Sequence, residues 1–259
     1  ETRSGFVFTH ARPGTKGFNV DLYSRERDGD VSFTFFVDVP GYEPDHSNAF
    51  FESLYTADQI QDLTRDQLRL ELARKLNSEH AVNEGYPVTG VVIGTGEDVL
   101  KALIRAGWYE NPRTPAEKAA EISTFDGRIA DVVFIRNERK GGERNELRFW
   151  KSPFLEAGVP VWMLQSVHFI GVGGGTMDPD IDDAILYLLQ DIWYGQGLAR
   201  FAWLRIEDVP TGVLVPVRAT KDSEYFTSGT VLVSWLSGDL LSMLEVDLLT
   251  WDPSPTGNL

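Results

Sequence analysis

Apolar and polar residues alternate along the first 40 residues of the chain. The stretches FNVDLYS and VSFTFFVDV place apolar side chains at every second position, which is the spacing of a half-buried β-strand. Asp28-Gly29 lies between the two stretches, and an Asp-Gly pair in that setting is typical of a tight hairpin turn. The pattern therefore predicts an N-terminal β-hairpin.

After Thr56 the apolar residues recur at roughly helical spacing, as far as Leu76. Thr56-Ala-Asp-Gln59 has the form of a capping box, so one or two helices are predicted over residues 56–76. The polar, turn-rich stretch HAVNEGYP follows at residues 80–87. We place a domain boundary there, between an N-terminal hairpin-plus-helix segment (1–85) and an α/β domain (86–259), although the two can pack as one unit.

A buried strand, a glycine turn and an amphipathic helix are predicted in the stretch TGVVIGTGEDVLKALIRAGW. Its helix covers residues 97–105, and a later helix is predicted over residues 180–193. Further strands are predicted at residues 131–136, 147–151, 159–170, 201–206, 213–218, 231–235 and 244–249. Because strands outnumber helices, we predict an α/β (α+β) fold, a mixed β-sheet with helices packed on it.

The amino-acid composition argues against several classes of function and partner for this protein. The net charge of -15 argues against nucleic acid or anionic lipid as the main partner. The absence of cysteine excludes disulfides, thiolate metal sites and a cysteine nucleophile. The most apolar long stretch, residues 231–251, is interrupted by Asp239, Glu245 and Asp247, so no segment is expected to span a membrane. The chain begins with Glu1, from which we expect a processed or truncated start.

The chain resembles the LssY C-terminal domain family of bacteria. The similarity rests on short stretches in a matching order and spacing, and it covers about residues 86–206, with a weaker match to about 250 and none in the first 85 residues. Arg148, Trp150, Asp178-Pro179-Asp180 and Asp182 follow the family pattern. The family's histidines are missing at two places, beside Arg148 and Trp150 and just before Asp178. The stretches are VTGVVIGTGEDVLKALIRAGW, ADVVFIRN, NELRFWKSP, VPVWMLQSVHFIGV and DPDIDDAILYLLQDI.

The resemblance implies an extracytoplasmic domain, since this family often follows membrane segments in its bacterial proteins. It implies no particular reaction. The missing histidines imply that any histidine-dependent site of the family is lost or altered in this chain.

The most informative motif is Asp178-Pro-Asp180-Ile-Asp182-Asp183, which follows the triple glycine 173–175. Four carboxylates so close together are candidate ligands for Ca²⁺ or Mg²⁺, which prefer oxygen donors. The EF-hand pattern fails, because Asp183 stands where glycine is needed and Leu189 where a glutamate belongs. The alternative is purely structural: Asp178 caps a helix, Pro179 is its first residue, and the acids face its positive end.

Two further residues are weak candidates for catalysis. His168 precedes Asp178 by ten residues across the glycine loop, so the two could form an acid–base pair or a mixed metal site. Arg148 could neutralise charge on a phosphorylated substrate. A hydrogen-bonded packing role is the more frequent fate of a single strand histidine. No cofactor-binding loop is predicted, because Gly94-Thr-Gly96 lacks a third glycine and is followed by acids.

These observations leave three functional hypotheses. The leading one is an extracytoplasmic, periplasmic or envelope, accessory module that binds a protein partner or membrane-associated assembly without catalysis. The second is a metal-dependent hydrolase of phosphate or lipid-linked substrates that uses the acidic cluster. The third is a carbohydrate-binding module with exposed aromatic side chains, although core packing is the expected fate of most of these residues. The aromatic candidates are Trp108, Trp150, Trp162, Trp193 and Trp203.

Overall fold

The computed structural model describes residues 15–22, 31–38, 54–82, 85–111, 122–137, 143–170, 176–207, 209–219 and 223–251. The chain forms two compact units, Glu1–Glu52 and Ser53–Leu259. The boundary that we placed at 85/86 thus falls inside the second unit. The helix before the turn-rich stretch packs into the core of the larger unit, which joins residues on both sides of position 85.

In the first unit, strand β1 (Thr15–Leu22) pairs antiparallel with strand β2 (Val31–Asp38). Leu22 faces Val31 at the end nearest the connection, and the rings of Phe18 and Phe35 stack with centroids 5.3 Å apart. The predicted hairpin pairing is confirmed. The Asp28-Gly29 turn lies outside the described residues.

The described residues of the second unit form one mixed sheet of ten strands, in the order β14-β10-β13-β4-β8-β7-β6-β5, with β3 beside β7 and β9 beside β8. Strand β4 pairs parallel with β13 and antiparallel with β8. The predicted α+β fold with a mixed sheet is therefore confirmed. The strands of the sheet are β3 Gln61–Leu63, β4 Gly90–Ile93, β5 Tyr109–Glu110, β6 Val132–Asn137, β7 Arg144–Glu156, β8 Val159–Ile170, β9 Thr176–Met177, β10 Leu198–Arg205, β13 Thr230–Leu236 and β14 Asp247–Leu249.

A separate two-stranded ribbon joins β11 (Val215–Pro216) and β12 (Glu224–Tyr225). The six-residue strand predicted over 213–218 is therefore wrong in length. The strand predicted over 244–249 is likewise reduced to the three residues of β14. Both predicted segments are rich in apolar residues, but only some of these residues pair with a neighbouring strand.

Among the described residues, three helices pack on the sheet, α1 (Arg65–Val82), α2 (Gly96–Arg105) and α3 (Ile181–Tyr194). Helix α1 covers one face, where its leucines at four-residue spacing join alternate residues of the strands in one core cluster. Helices α2 and α3 contact β13, and α3 also contacts β8. The members of the cluster that show this packing are Leu68, Leu72, Leu76, Val91, Met163 and Val233.

The start of helix α1 differs from the prediction. The Thr56 hydroxyl does donate to Gln59 Oε1 at 2.9 Å, but only a turn follows it. A second sequence of the same form, beginning at Thr64, precedes the helix, and the Thr64 hydroxyl donates to Gln67 Oε1 at 2.9 Å. The intervening residues 61–63 form β3, because they pair with the end of β7. A non-local strand contact therefore decides which threonine precedes the helix.

None of the helices in the described part of the chain is long and apolar enough to span a membrane.

Candidate functional site

The acidic turn lies at the start of helix α3, where Asp180 is the N-cap residue. Its carboxylate accepts hydrogen bonds from the amides of Asp182 at 3.1 Å and Asp183 at 3.3 Å. The assignment of Asp178 as cap and Pro179 as first helical residue is wrong by two positions. The reason is a non-local contact, since the carbonyl of Pro179 accepts a hydrogen bond from the amide of Phe226.

Asp178 belongs to the sheet edge that precedes the helix. Its amide donates to the carbonyl of His168 at 2.7 Å. One carboxylate oxygen accepts from the amide of Asp180 at 3.0 Å, and the other lies 3.7 Å from His168 Nδ1. The expectation that His168 and Asp178 meet across the glycine loop is therefore met, while the glycines 173–175 themselves lie outside the described residues.

Asp182 and Asp183 point to different surroundings. The buried carboxylate of Asp182 accepts hydrogen bonds from the Thr227 hydroxyl at 2.9 Å and the Ser228 amide at 2.6 Å. Asp183 is exposed, and its pKa is raised above 3.8 by partial desolvation and by the negative charges of Asp180, Asp178 and Asp182. One acid therefore ties the helix to the segment before β13, and the other adds unfavourable charge.

Three of the four carboxylates are thus hydrogen-bonded to groups of the protein itself. Within the described ranges, no three or more histidine, aspartate or glutamate side chains are arranged to hold a metal ion. A Ca²⁺ or Mg²⁺ site at Asp178, Asp180, Asp182 and Asp183 remains a sequence-based prediction, for which a direct test is given in the Discussion. The observed hydrogen bonds are those of a helix start anchored to its neighbours.

His168 is largely buried beside the helix. Its ring lies edge-on to Tyr187 of α3, with centroids 5.6 Å apart, and its Nε2 is 4.0 Å from Glu143 Oε2. The Nδ1 atom is buried and accepts or donates no hydrogen bond within the described structure. The contact with Tyr187 places His168 on the α3 face of the sheet. Asn145 is its register partner on the neighbouring strand, so the Asn145 side chain lies on the same face.

Arg148 lies on the opposite face. It is paired with Gln165, an odd number of residues from His168, and successive strand side chains point to opposite faces. There Arg148 Nε donates to Glu146 Oε1 at 2.8 Å and its Nη1 to Gln165 Oε1 at 2.7 Å. The sheet therefore separates Arg148 from the acidic turn that it was predicted to assist.

Four of the five candidate tryptophans are core residues, namely Trp108, Trp150, Trp162 and Trp203. Trp193 is partly exposed, and its indole N–H donates to the carbonyl of Met243 at 3.0 Å. The expectation that most of these side chains pack in the core is met. A stacking platform for a sugar would have to be built mainly from other side chains.

The structure also shows a feature that the sequence reasoning missed. Large apolar side chains of residues 240–248, and that of the last residue of helix α3, are exposed, with Leu244 96% accessible, Tyr194 68%, Leu240 61%, Leu248 58% and Met243 41%. We call these five residues the apolar ridge. For four of the five residues the signal was present in the apolar stretch 231–251, which we interpreted only as strands and as a rejected membrane span.

The segment that carries most of the apolar ridge is bound to the β10 edge of the sheet. Strand β14 pairs parallel with β10, where Phe201 faces Leu248 in the register. The amide of Leu241 donates to the carbonyl of Gln196 at 2.9 Å. The Arg105 guanidinium donates to the carbonyls of residues 237–239, which lead into the ridge. These contacts hold the exposed side chains on a defined backbone.

Comparisons of the chain with protein-family models, with curated proteins and with solved structures find no match.

Proposed function

We propose that this protein is a non-catalytic interaction module that binds a protein partner through the apolar ridge. The observation that supports this proposal is the exposure of Leu240, Met243, Leu244 and Leu248 on one short segment, whose Met243 carbonyl accepts a hydrogen bond from Trp193, the residue before Tyr194. Singly exposed apolar residues are normal on protein surfaces, but a contiguous group of large ones marks an interaction site. A buried leucine side chain contributes about 1.5–3 kcal/mol relative to an exposed one.

The alternation within β14 explains why Leu248 of the ridge faces outward. Leu249 packs against the core cluster, and Leu248 next to it is 58% exposed on the other side of the strand. The segment therefore divides its apolar residues between the core and the surface. A chain that needed only stability would gain from a polar residue at the outward positions, because exposed leucines promote aggregation.

The proposed setting is a bacterial envelope or membrane-associated assembly outside the cytoplasm. The resemblance to the LssY C-terminal domain family supports this setting. The hydrolase and carbohydrate hypotheses receive less support from the geometry. Arg148 lies across the sheet from the acidic turn, and four of the five candidate tryptophans are buried.

The test is to follow the native assembly in cells that produce the protein. We expect the wild-type chain to migrate with a larger complex in native gels of detergent extracts. The variant Leu244→Asp/Leu248→Asp should migrate alone, because two charges on the ridge oppose burial. Leu70→Asp is the matched control, since Leu70 is 64% exposed on helix α1 and is not part of the ridge.

Two results would overturn the proposal. One is that the wild-type chain migrates alone under all extraction conditions. The other is that the ridge variant, with an unfolding midpoint like that of the wild type, still migrates with the complex.

A further inference from the structure

The apolar ridge is bordered by negative charge. Asp239, Glu245 and Asp247 are exposed within the same segment, and Glu245 follows the most exposed leucine directly. The sequence contains neither lysine nor arginine after Lys221. The ridge segment therefore presents apolar and acidic side chains without any basic residue of its own.

A basic residue of another element interacts with Asp239, and one stands opposite Asp247 in the strand register. Arg105 lies close enough to Asp239 for the two charges to interact, and Arg200 is the register partner of Asp247. No Lys or Arg in the described part of the chain forms an ion pair with any of the three carboxylates, and Glu245 is the one that directly follows the most exposed leucine. Its carboxylate borders Leu244 and is open to a cation from outside.

We infer that the partner segment bound by the apolar ridge is basic and amphipathic, with apolar side chains that cover Leu244 and Leu248 and a Lys or Arg that pairs with Glu245. This inference rests on the proposed function and adds the chemistry of the partner to it. An acidic partner would bring like charges together at the rim, which costs binding free energy and slows association.

A membrane surface fits these charges less well. Anionic lipid headgroups attract basic segments, and this chain carries a net charge of -15 with an acidic border around its apolar ridge. A protein segment with alternating apolar and basic side chains satisfies both features of the surface. Helical or extended segments can supply that pattern.

The experiment uses the full chain and three synthetic peptides of equal length. The first peptide has leucines on one helical face and lysines on the other; the second has glutamate for lysine; the third has serine for leucine. Binding is measured by fluorescence anisotropy at several salt concentrations. Vesicles with neutral or anionic headgroups form a separate arm.

We expect the leucine–lysine peptide to bind more tightly than the other two, with an affinity that falls as salt screens the charges. Glu245→Lys should weaken its binding by about fivefold or more, and Leu244→Asp by about tenfold or more. Glu207→Lys is the control for net charge, because Glu207 is exposed at the far end of β10. Thermal unfolding confirms that each variant is folded.

Four outcomes would overturn the inference. The first is that the glutamate peptide binds as tightly as the leucine–lysine peptide, and the second is that Glu207→Lys and Glu245→Lys weaken peptide binding equally. The third is that the protein binds vesicles more tightly than the leucine–lysine peptide, and the fourth is that it binds none of the peptides. The native-gel test separates these from failure of the proposed function. If Leu244→Asp/Leu248→Asp loses its complex while Glu245→Lys leaves peptide binding unchanged, the ridge is an interface and only the basic chemistry of the partner is wrong.

Discussion

The Thr227 hydroxyl donates a hydrogen bond of 2.9 Å to the buried carboxylate of Asp182, across 45 residues of sequence. The Ser228 amide donates to the other oxygen of the same carboxylate at 2.6 Å. The first turn of helix α3 is thereby fixed to the segment that enters β13. This contact gives the acidic turn a structural role that can be tested directly.

Asp182→Ala should lower the free energy of unfolding by about 2–3 kcal/mol, because it leaves the buried Thr227 hydroxyl and the partly buried Ser228 amide without an acceptor. Urea unfolding monitored by circular dichroism measures the loss. Asp183→Ala is the control, since Asp183 is adjacent but exposed. A loss below about 0.5 kcal/mol for Asp182→Ala would contradict the anchoring role.

Asp183→Asn should raise stability at neutral pH. The pKa of Asp183 is raised by desolvation and by its acidic neighbours, so its ionised form is less favourable in the folded chain than in the unfolded one. The stability that a protonated Asp183 contributes is present below the unfolded pKa of 3.8 and is lost as the pH rises through the higher folded value.

The difference between Asp183→Asn and the wild type should therefore shrink as the pH falls through this range, and high salt should also reduce it. Urea midpoints measured from pH 7 to pH 3 give both comparisons. A variant less stable than the wild type at pH 7 would show that the charge of Asp183 is favourable, contrary to this account.

Asp180→Ala should cost about 1 kcal/mol through loss of the N-cap, whether or not a divalent cation is present. The measurement is the thermal midpoint in EDTA and in millimolar Ca²⁺ or Mg²⁺. We expect no rise with either cation in the wild type, because Asp180 and Asp182 already accept hydrogen bonds from the protein. A rise that disappears in both Asp180→Ala and Asp178→Ala would establish a cation site instead.

Arg148→Ala should lower the free energy of unfolding by about 3 kcal/mol, because the largely buried carboxylate of Glu146 loses its nearest cation. The double variant Arg148→Met/Glu146→Gln should be less destabilised, since it removes both charges. Arg74→Ala serves as the surface control, because the Arg74–Glu71 pair is exposed and is expected to contribute about 0–1 kcal/mol. Equal losses for Arg148→Ala and Arg74→Ala in urea unfolding would contradict this ranking.

Local patterns predicted the elements whose signals lie within a few residues. Strand β4 and helix α2 follow from VVIGTGEDVLKALIR, and the capping box that starts the helix is local, with the Thr95 hydroxyl 2.6 Å from Asp98 Oδ2. The long apolar run of β8 was predicted with its observed limits, Val159–Ile170. In these segments, residue spacing and helix-end chemistry agree with the final packing.

The sequence by itself determined the α+β class, the hairpin pairing and the approach of His168 to Asp178, because short connections and periodic side chains bring neighbouring elements together. The tertiary structure decided the N-cap at Asp180, the opposite faces of Arg148 and His168, and the exposure of the apolar ridge. Each of these depends on a partner that is distant along the chain, such as Phe226 for Pro179 or β10 for β14. Hydrophobicity alone does not distinguish Leu248 from Leu249; the side of the strand that meets the core does.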